Sequence, residues 1–352
     1  VGVFRTDVEA AVAGGITSVL LMPDQSPPLD DPALIERAER LGKPRLWVRP
    51  LAAATRGLNG RELAELSLMK EAGAVAVATG RQAIADAQVM LRLLRYAAGL
   101  GLVVIAHAEC PFLTAGAAAT DTETATRLGL PAAPAAAEAI QIARDLRLAK
   151  EAQAALHIAC VSTAEGVALV RAARAEGQDV TAGTAPAYAL LSDTALAGYR
   201  SFARLSPPLR VEADRQAALA AIADGTVDVI ASGHDPRGPE DKRLPFADAL
   251  PGMAGAETLL AMTLGLVRDG VIDIPRTFAL LSANPAKLLG APAGILAAGL
   301  EADLALIDPD APWIIDRRKM EATADNTPFD RQGTQGRVLG LWKGGVRLGA
   351  GA

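Results

Sequence analysis

Aromatic side chains make up only 3% of the 352 residues, and there are two cysteines and three histidines. So few rings argue against stacking platforms for bases or sugars. Cys110 and Cys160 make no disulfide framework, which fits a reducing, cytoplasmic setting. The longest apolar runs are strand-length and broken by glycine or charge, so no transmembrane span is expected. There is no long run of one charge sign. A net charge of -5 with a pI near 5.4 speaks against nucleic acid or an anionic membrane as the main partner. No signal-peptide pattern opens the chain. It starts at Val1 rather than Met and runs at once into a helical pattern, from which we expect that an N-terminal segment is missing.

What is present is an alternation. Apolar, β-branched runs at 16–22, 45–51, 74–78, 102–107, 155–160, 180–184 and 227–232 are separated by helical patterns at 32–41, 61–72, 85–98, 135–152, 163–176 and 213–224. Strand and helix in turn imply a parallel sheet with helical crossovers, and strands this apolar are buried on both faces. Seven strands suit an open doubly wound sheet, or a (β/α)₈ barrel whose eighth strand lies upstream of Val1. Two further helices at 254–268 and 275–289 complete a barrel-like unit over 1–290. Residues 291–352 change character to short strands with turns, as in part of a small β-domain.

All three histidines fall at or near strand ends, where a parallel barrel keeps its chemistry. His107 is followed by Glu109, His157 precedes Cys160, and His234 stands in Ser232-Gly233-His234-Asp235-Pro236. Imidazoles and carboxylates converging at strand ends can bind zinc, although a lone barrel histidine also serves as a hydrogen-bonded core residue. The loops Met22-Pro23-Asp24 and Ser206-Pro207-Pro208-Leu209-Arg210 are rigid, and either hold side chains over a barrel mouth or are plain proline turns. The mouth is expected near His107, Cys160, Ser206 and Gly233.

Over nearly the whole chain these segments resemble the long-chain dihydroorotases of the amidohydrolase superfamily. Matching stretches include Gly14-Gly15-Ile16-Thr17 with Met22-Pro23, Pro134-Ala135-Ala136-Ala137-Glu138, His157-Ile158-Ala159 with Val161-Ser162-Thr163, Pro207-Pro208-Leu209-Arg210, Asn284-Pro285-Ala286 and Asn326-Thr327-Pro328-Phe329. The resemblance implies a TIM (β/α)₈ barrel with a small β-sandwich, and reversible closure of carbamoyl aspartate to dihydroorotate in pyrimidine synthesis. One or two zinc ions would polarise the amide and supply hydroxide, while a strand-eight aspartate moves the proton.

Carried over residue by residue, that ligand set is depleted. The first-strand His-x-His pair would lie before Val1. The fourth strand is followed by Thr79-Gly80-Arg81, without an oxygen ligand. His107 keeps the fifth-strand position, Cys160 replaces the sixth-strand histidine, and Gly233 replaces the catalytic aspartate. Asp24, Ser206, Arg210, His234 and Arg237 are the candidates for the substrate pocket. In this pattern the chain resembles the non-catalytic dihydroorotase-like branch that accompanies aspartate transcarbamoylase. The expectations are therefore no zinc, or zinc weakly bound by the vestigial His107 and Cys160; a homodimer; and aspartate transcarbamoylase as partner. The alternatives are an active cyclic amidohydrolase with a reduced metal site, and a module binding a small ligand in the old pocket.

Overall fold

The computed structural model describes residues 2–349. Strands β1 (Ser18–Leu21), β2 (Trp47–Ala53), β3 (Ala76–Ala78) and β4 (Val104–Ala106) come first. A separate two-stranded pair, β5 (Ala119–Thr120) and β6 (Ala132–Ala133), then folds the loop beyond β4. The main sheet resumes with β7 (Leu156–Ile158), β8 (Val180–Thr184) and β9 (Val229–Ile230). Its order is β1-β2-β3-β4-β7-β8-β9, and every pairing is parallel. A doubly wound sheet reverses its order at a switch point. Here each strand lies beside the next one in the sheet's own sequence, which is how a TIM-barrel wall is built. Among the described residues β1 and β9 do not pair with each other, so the curled wall of seven strands is not closed into a ring. At this seam Asp7 of the first helix, Gly2–Ala13, comes within 3.6 Å of His234 Nε2, beyond β9.

The period of two explains the two-sided burial of the strands. Ala52, Val77, Val104, Ala106, Leu156 and Ile158 join the cluster packed by the outer helices. Leu51, Ala76, Ala78 and Ile105 join a second cluster on the other face. His157, between Leu156 and Ile158, therefore faces inward. The outer helices follow their caps. The Asp86 carboxylate accepts from the N–H groups of Gln88 and Val89, and starts the helix Ala87–Leu100. Gly101 ends it at φ +66°, donating its N–H to Ala97 and Ala98 carbonyls, a backbone position glycine occupies without strain.

The expected helix over 61–72 is shorter, Leu66–Glu71. Thr55 Oγ1 accepts from Gly60 N–H, Asn59 Oδ1 accepts from Arg61 N–H, and Thr55 bridges Leu63, so side chains and a β-bridge take the backbone groups a helix start needs.

In the tail, β10 (Leu304–Ile314), β11 (Gly333–Lys343) and β12 (Val346–Leu348) form an antiparallel sheet. It sits directly on the barrel helix Leu259–Arg268, because Gly336 has no side chain: a Cβ there would be 2.6 Å from Leu264 Cδ1. Lys343 Nζ lies 3.5 Å from the centroid of the Trp47 ring at the start of β2.

Candidate functional site at the barrel mouth

The segments after β3 and β4 meet the Ser206 loop around a cavity of 180 Å³ lined by Arg81, His107, Glu109, Arg204, Ser206 and Pro251, among others. At its floor His107 is held at both ends. Its backbone N–H donates to Thr79 Oγ1 at 3.0 Å, and its Nε2 lies 2.9 Å from Glu109 Oε2. The Ser206 hydroxyl donates to the same Glu109 oxygen at 2.9 Å. Burial pushes the Glu109 pKa up. The hydrogen bond and charge of His107, the charge of Arg210 and the Ser206 hydroxyl outweigh that, and leave it below the ordinary carboxylate value.

Arg81 spans the mouth. Its NH1 lies 2.5 Å from Asp24 Oδ2 beyond β1, its Nε 3.3 Å from Asp235 Oδ2 beyond β9, and its NH2 donates to the His234 carbonyl at 3.2 Å. Asp235 Oδ2 also takes Arg237 NH2 at 2.8 Å, while Arg237 Nε donates to the Pro251 carbonyl and its N–H to Asn326 Oδ1. Two guanidinium groups and two carboxylates thus tie the ends of β1, β3 and β9 together. A fixed guanidinium fork suits such multi-point pairing better than an ammonium. Asp24 Oδ1 and His234 Nε2 are buried without a hydrogen-bond partner among the described residues.

Arg210 requires a correction. It was expected in the substrate pocket, but it is 4% exposed and committed elsewhere. Its NH2 pairs with Glu138 Oε2 at 3.2 Å, its Nε donates to Ser162 Oγ, and its NH1 donates to Thr120 Oγ1. Glu138 also accepts from the N–H and hydroxyl groups of both Ser162 and Thr163, at the start of the helix Ala164–Ala175. Three of the matching stretches therefore meet in one buried structural ion pair. Cys160 is half-buried and packs on the cluster that holds Leu205 and Phe246. Burial, then the charge of Glu138, pushes its thiol far above the ordinary range.

His107 and Ser206 line the cavity; Asp24 and Arg237 belong to the brace beside it, and His234 lends the brace its carbonyl. Cys160 and Gly233 are not among the lining residues. Gly233 stands at φ +60°, and a Cβ on it would meet Met253 Cε at 2.5 Å and Ala185 Cβ at 3.3 Å.

The described residues do not fit the zinc that the resemblance implies. His107 Nε2 is turned to Glu109, Cys160 is not among the residues lining the cavity, and the positions at Gly80 and Gly233 offer no side-chain donor atom. Among the described residues no group of three or more histidine, cysteine, aspartate or glutamate side chains is placed to hold an ion. Sequence reasoning passed over Arg204 and the bracing role of Arg81. The one signal was an arginine after β3 where an oxygen ligand was expected.

His157 is a separate inward-facing histidine. Its Nδ1 lies 2.8 Å from Thr181 Oγ1, and burial, then the charge of Arg174, lowers its pKa to about 4. The unfolded chain takes up this proton near pH 6.5 and the folded chain only near 4. Its contribution to stability is therefore complete above about pH 6.5, declines as pH falls to about 4, and is constant below. Urea midpoints measured from pH 7 to 4 should fall less steeply in His157→Gln than in the parent; parallel profiles would show that His157 is not held neutral.

Seven parallel strands in sequential order, with polar side chains gathered at their C-terminal ends, define a protein of the TIM-barrel class. The solved structure of the L-hydantoinase (dihydropyrimidinase) from Arthrobacter aurescens superposes with a TM-score of 0.87 at 26% identity, covering 98% of this chain and 79% of that one. The family model described as dihydro-orotase-like matches residues 3–166. A protein named dihydroorotase from Citrifermentans bemidjiense is 39% identical over 336 residues, 95% of this chain and 79% of its own length. One of the same name from Pelotomaculum thermopropionicum is 42% identical over 336 residues, 95% of this chain and 78% of its own. The chain belongs to the dihydroorotase-like family.

Proposed function

We propose that this chain is a non-catalytic dihydroorotase-like barrel of pyrimidine biosynthesis, retained as a homodimeric structural partner of aspartate transcarbamoylase. The observation that carries this reading is the Arg81 brace. A cation held by Asp24 and Asp235 lies across the mouth where the family would gather metal ligands and a base. A guanidinium repels a divalent ion, and it occupies the carboxylates of Asp24 and Asp235. Glu109, the carboxylate at the floor, has its Oε2 engaged by His107 and Ser206. The test is to mix the full-length protein with aspartate transcarbamoylase from the same organism and analyse the mixture by size exclusion with light scattering. Co-elution at micromolar concentration, with this chain in even copy number, is the expected result. Separate elution would remove the partner role.

A second reading, an active zinc-dependent cyclic amidohydrolase with a reduced metal site, is favoured by one observation. His107 still stands in the cavity of a chain 39% to 42% identical to proteins named dihydroorotase. It requires a donor set that His107 and Cys160 do not complete by themselves.

A further inference from the structure

The mouth cavity is lined by two opposite charges, Glu109 and Arg204, each with hydrogen-bonding capacity left over. Glu109 is 8% exposed, and both hydrogen bonds it accepts go to Oε2. Among the described residues no donor is placed on its other oxygen, and a carboxylate normally accepts more than two hydrogen bonds. Arg204, half-buried on another wall, spends one nitrogen on the Phe246 carbonyl at 3.0 Å and leans on the Phe246 ring. Its Nε and NH2 have no acceptor among the described residues. Arg81 differs, because Asp24 and Asp235 already take its charge.

The wall that carries Arg204 is pinned from behind. Lys242 is 4% exposed and donates to the carbonyls of Arg204 at 3.2 Å, Leu250 at 2.7 Å and Ser201 at 3.1 Å. Leu250 precedes Pro251, another lining residue, so Lys242 fixes two stretches of the wall in one position. A recess fixed before binding loses less entropy when a ligand enters. The lining also carries small and apolar groups, Pro111, Ala118, Leu205 and Pro251, beside the polar Gln82 and Thr114. The 180 Å³ of space compares with the roughly 10–15 Å³ that one water needs, and so admits a small organic molecule.

We propose that this cavity binds a small zwitterionic amino acid, its ammonium on Glu109 and its carboxylate on Arg204. A dicarboxylate would bring a second negative charge against Glu109. A simple amine would leave the free N–H groups of Arg204 without an acceptor, and a simple carboxylate would leave Glu109 Oε1 without a donor. The zwitterion answers both, and its short carbon chain meets the apolar lining. Partial removal from water strengthens both contacts. The site does not depend on whether the barrel turns over a substrate, because binding is read at equilibrium.

The test is calorimetric titration of the full-length protein with glycine, β-alanine and 4-aminobutyrate, a series in which the charge separation grows. Propionate, ethylamine and succinate are the comparison probes. At least one amino acid should bind saturably with a dissociation constant below about 1 mM, and at least tenfold more tightly than each comparison probe. Glu109→Gln and Arg204→Met should each weaken it at least tenfold. Glu109 also supports His107 and Ser206, so its variant can lose the fold. Arg204→Met removes one carbonyl contact and one ring contact and keeps the test decisive. The proposal is overturned if no amino acid saturates the protein by about 10 mM, if a singly charged probe or succinate binds as tightly, or if Arg204→Met leaves the affinity unchanged.

Discussion

Arg210→Met should lower the unfolding free energy by about 3–5 kcal/mol, the usual consequence of removing one partner from a fully buried ion pair. The reason lies with the residue left behind. Glu138 is 0% exposed, so its carboxylate, shut off from bulk water, is left without its cation. The donors on Ser162 and Thr163 remain, but they are neutral and cannot balance a full charge. Arg210 also donates to Thr120 in the β5 segment, so its loss frees the loop beyond β4 from the Ser162 turn. Chemical denaturation of the variant beside the parent reads the effect directly. A loss below about 1 kcal/mol would mean that the pair is solvated in solution. A substrate-binding arginine would behave differently, because removing it spares stability and weakens ligand.

Arg81→Met should cost about 1–3 kcal/mol. The range is lower because the side chains are less buried: 32% exposed for Arg81, 20% for Asp24 and 14% for Asp235. The loss leaves Asp24 and Asp235 facing each other across the mouth, with Asp24 Oδ1 already unpaired. Arg237 still covers Asp235, so Asp24 carries most of the penalty. Asp24→Asn in the Arg81→Met background should therefore recover part of the loss, because the amide removes the stranded charge. In the parent the same change should destabilise. This reversal of sign gives a double-mutant coupling of about 1 kcal/mol or more, measured by urea denaturation of the four proteins. Additive effects would show that the brace is not formed in solution.

Much of the wall was legible because strands buried on both faces are apolar throughout, as in Val103-Val104-Ile105-Ala106 before His107. His107 and Ser206 could be placed at the mouth because strand ends in a parallel barrel share one side. Arg210 could not be read correctly from its motif. A proline-rich loop ending in arginine says that the chain is rigid there, but not whether the side chain turns to the cavity or to Glu138, 72 residues earlier. The bracing role of Arg81 could not be read for a similar reason. Its partners at 24 and 235 come from opposite ends of the sheet, and only the curling of the wall brings them together. The segment at 61–65 carried a helical pattern, yet short side chains at Thr55 and Asn59 captured its backbone. Periodicity records burial and does not register such local competitors.

The proposed function makes the mouth a braced, non-catalytic remnant. Its most direct test is a coupled dihydroorotate hydrolysis assay of the full-length protein in excess zinc, beside its Gly233→Asp, Cys160→His double variant. The two changes restore a carboxylate and an imidazole. Aspartate tolerates the backbone at φ +60° better than most residues, and Met253 Cε, the atom in its way, ends a flexible side chain. Arg81 and the bare Gly80 position remain, so an oxygen ligand beyond β3 is still missing and a cation still lies across the site. Groups of one catalytic unit act together rather than additively. The account predicts no turnover above the blank from either protein. Turnover by either within about tenfold of a median enzyme's rate of about 10 per second would contradict it.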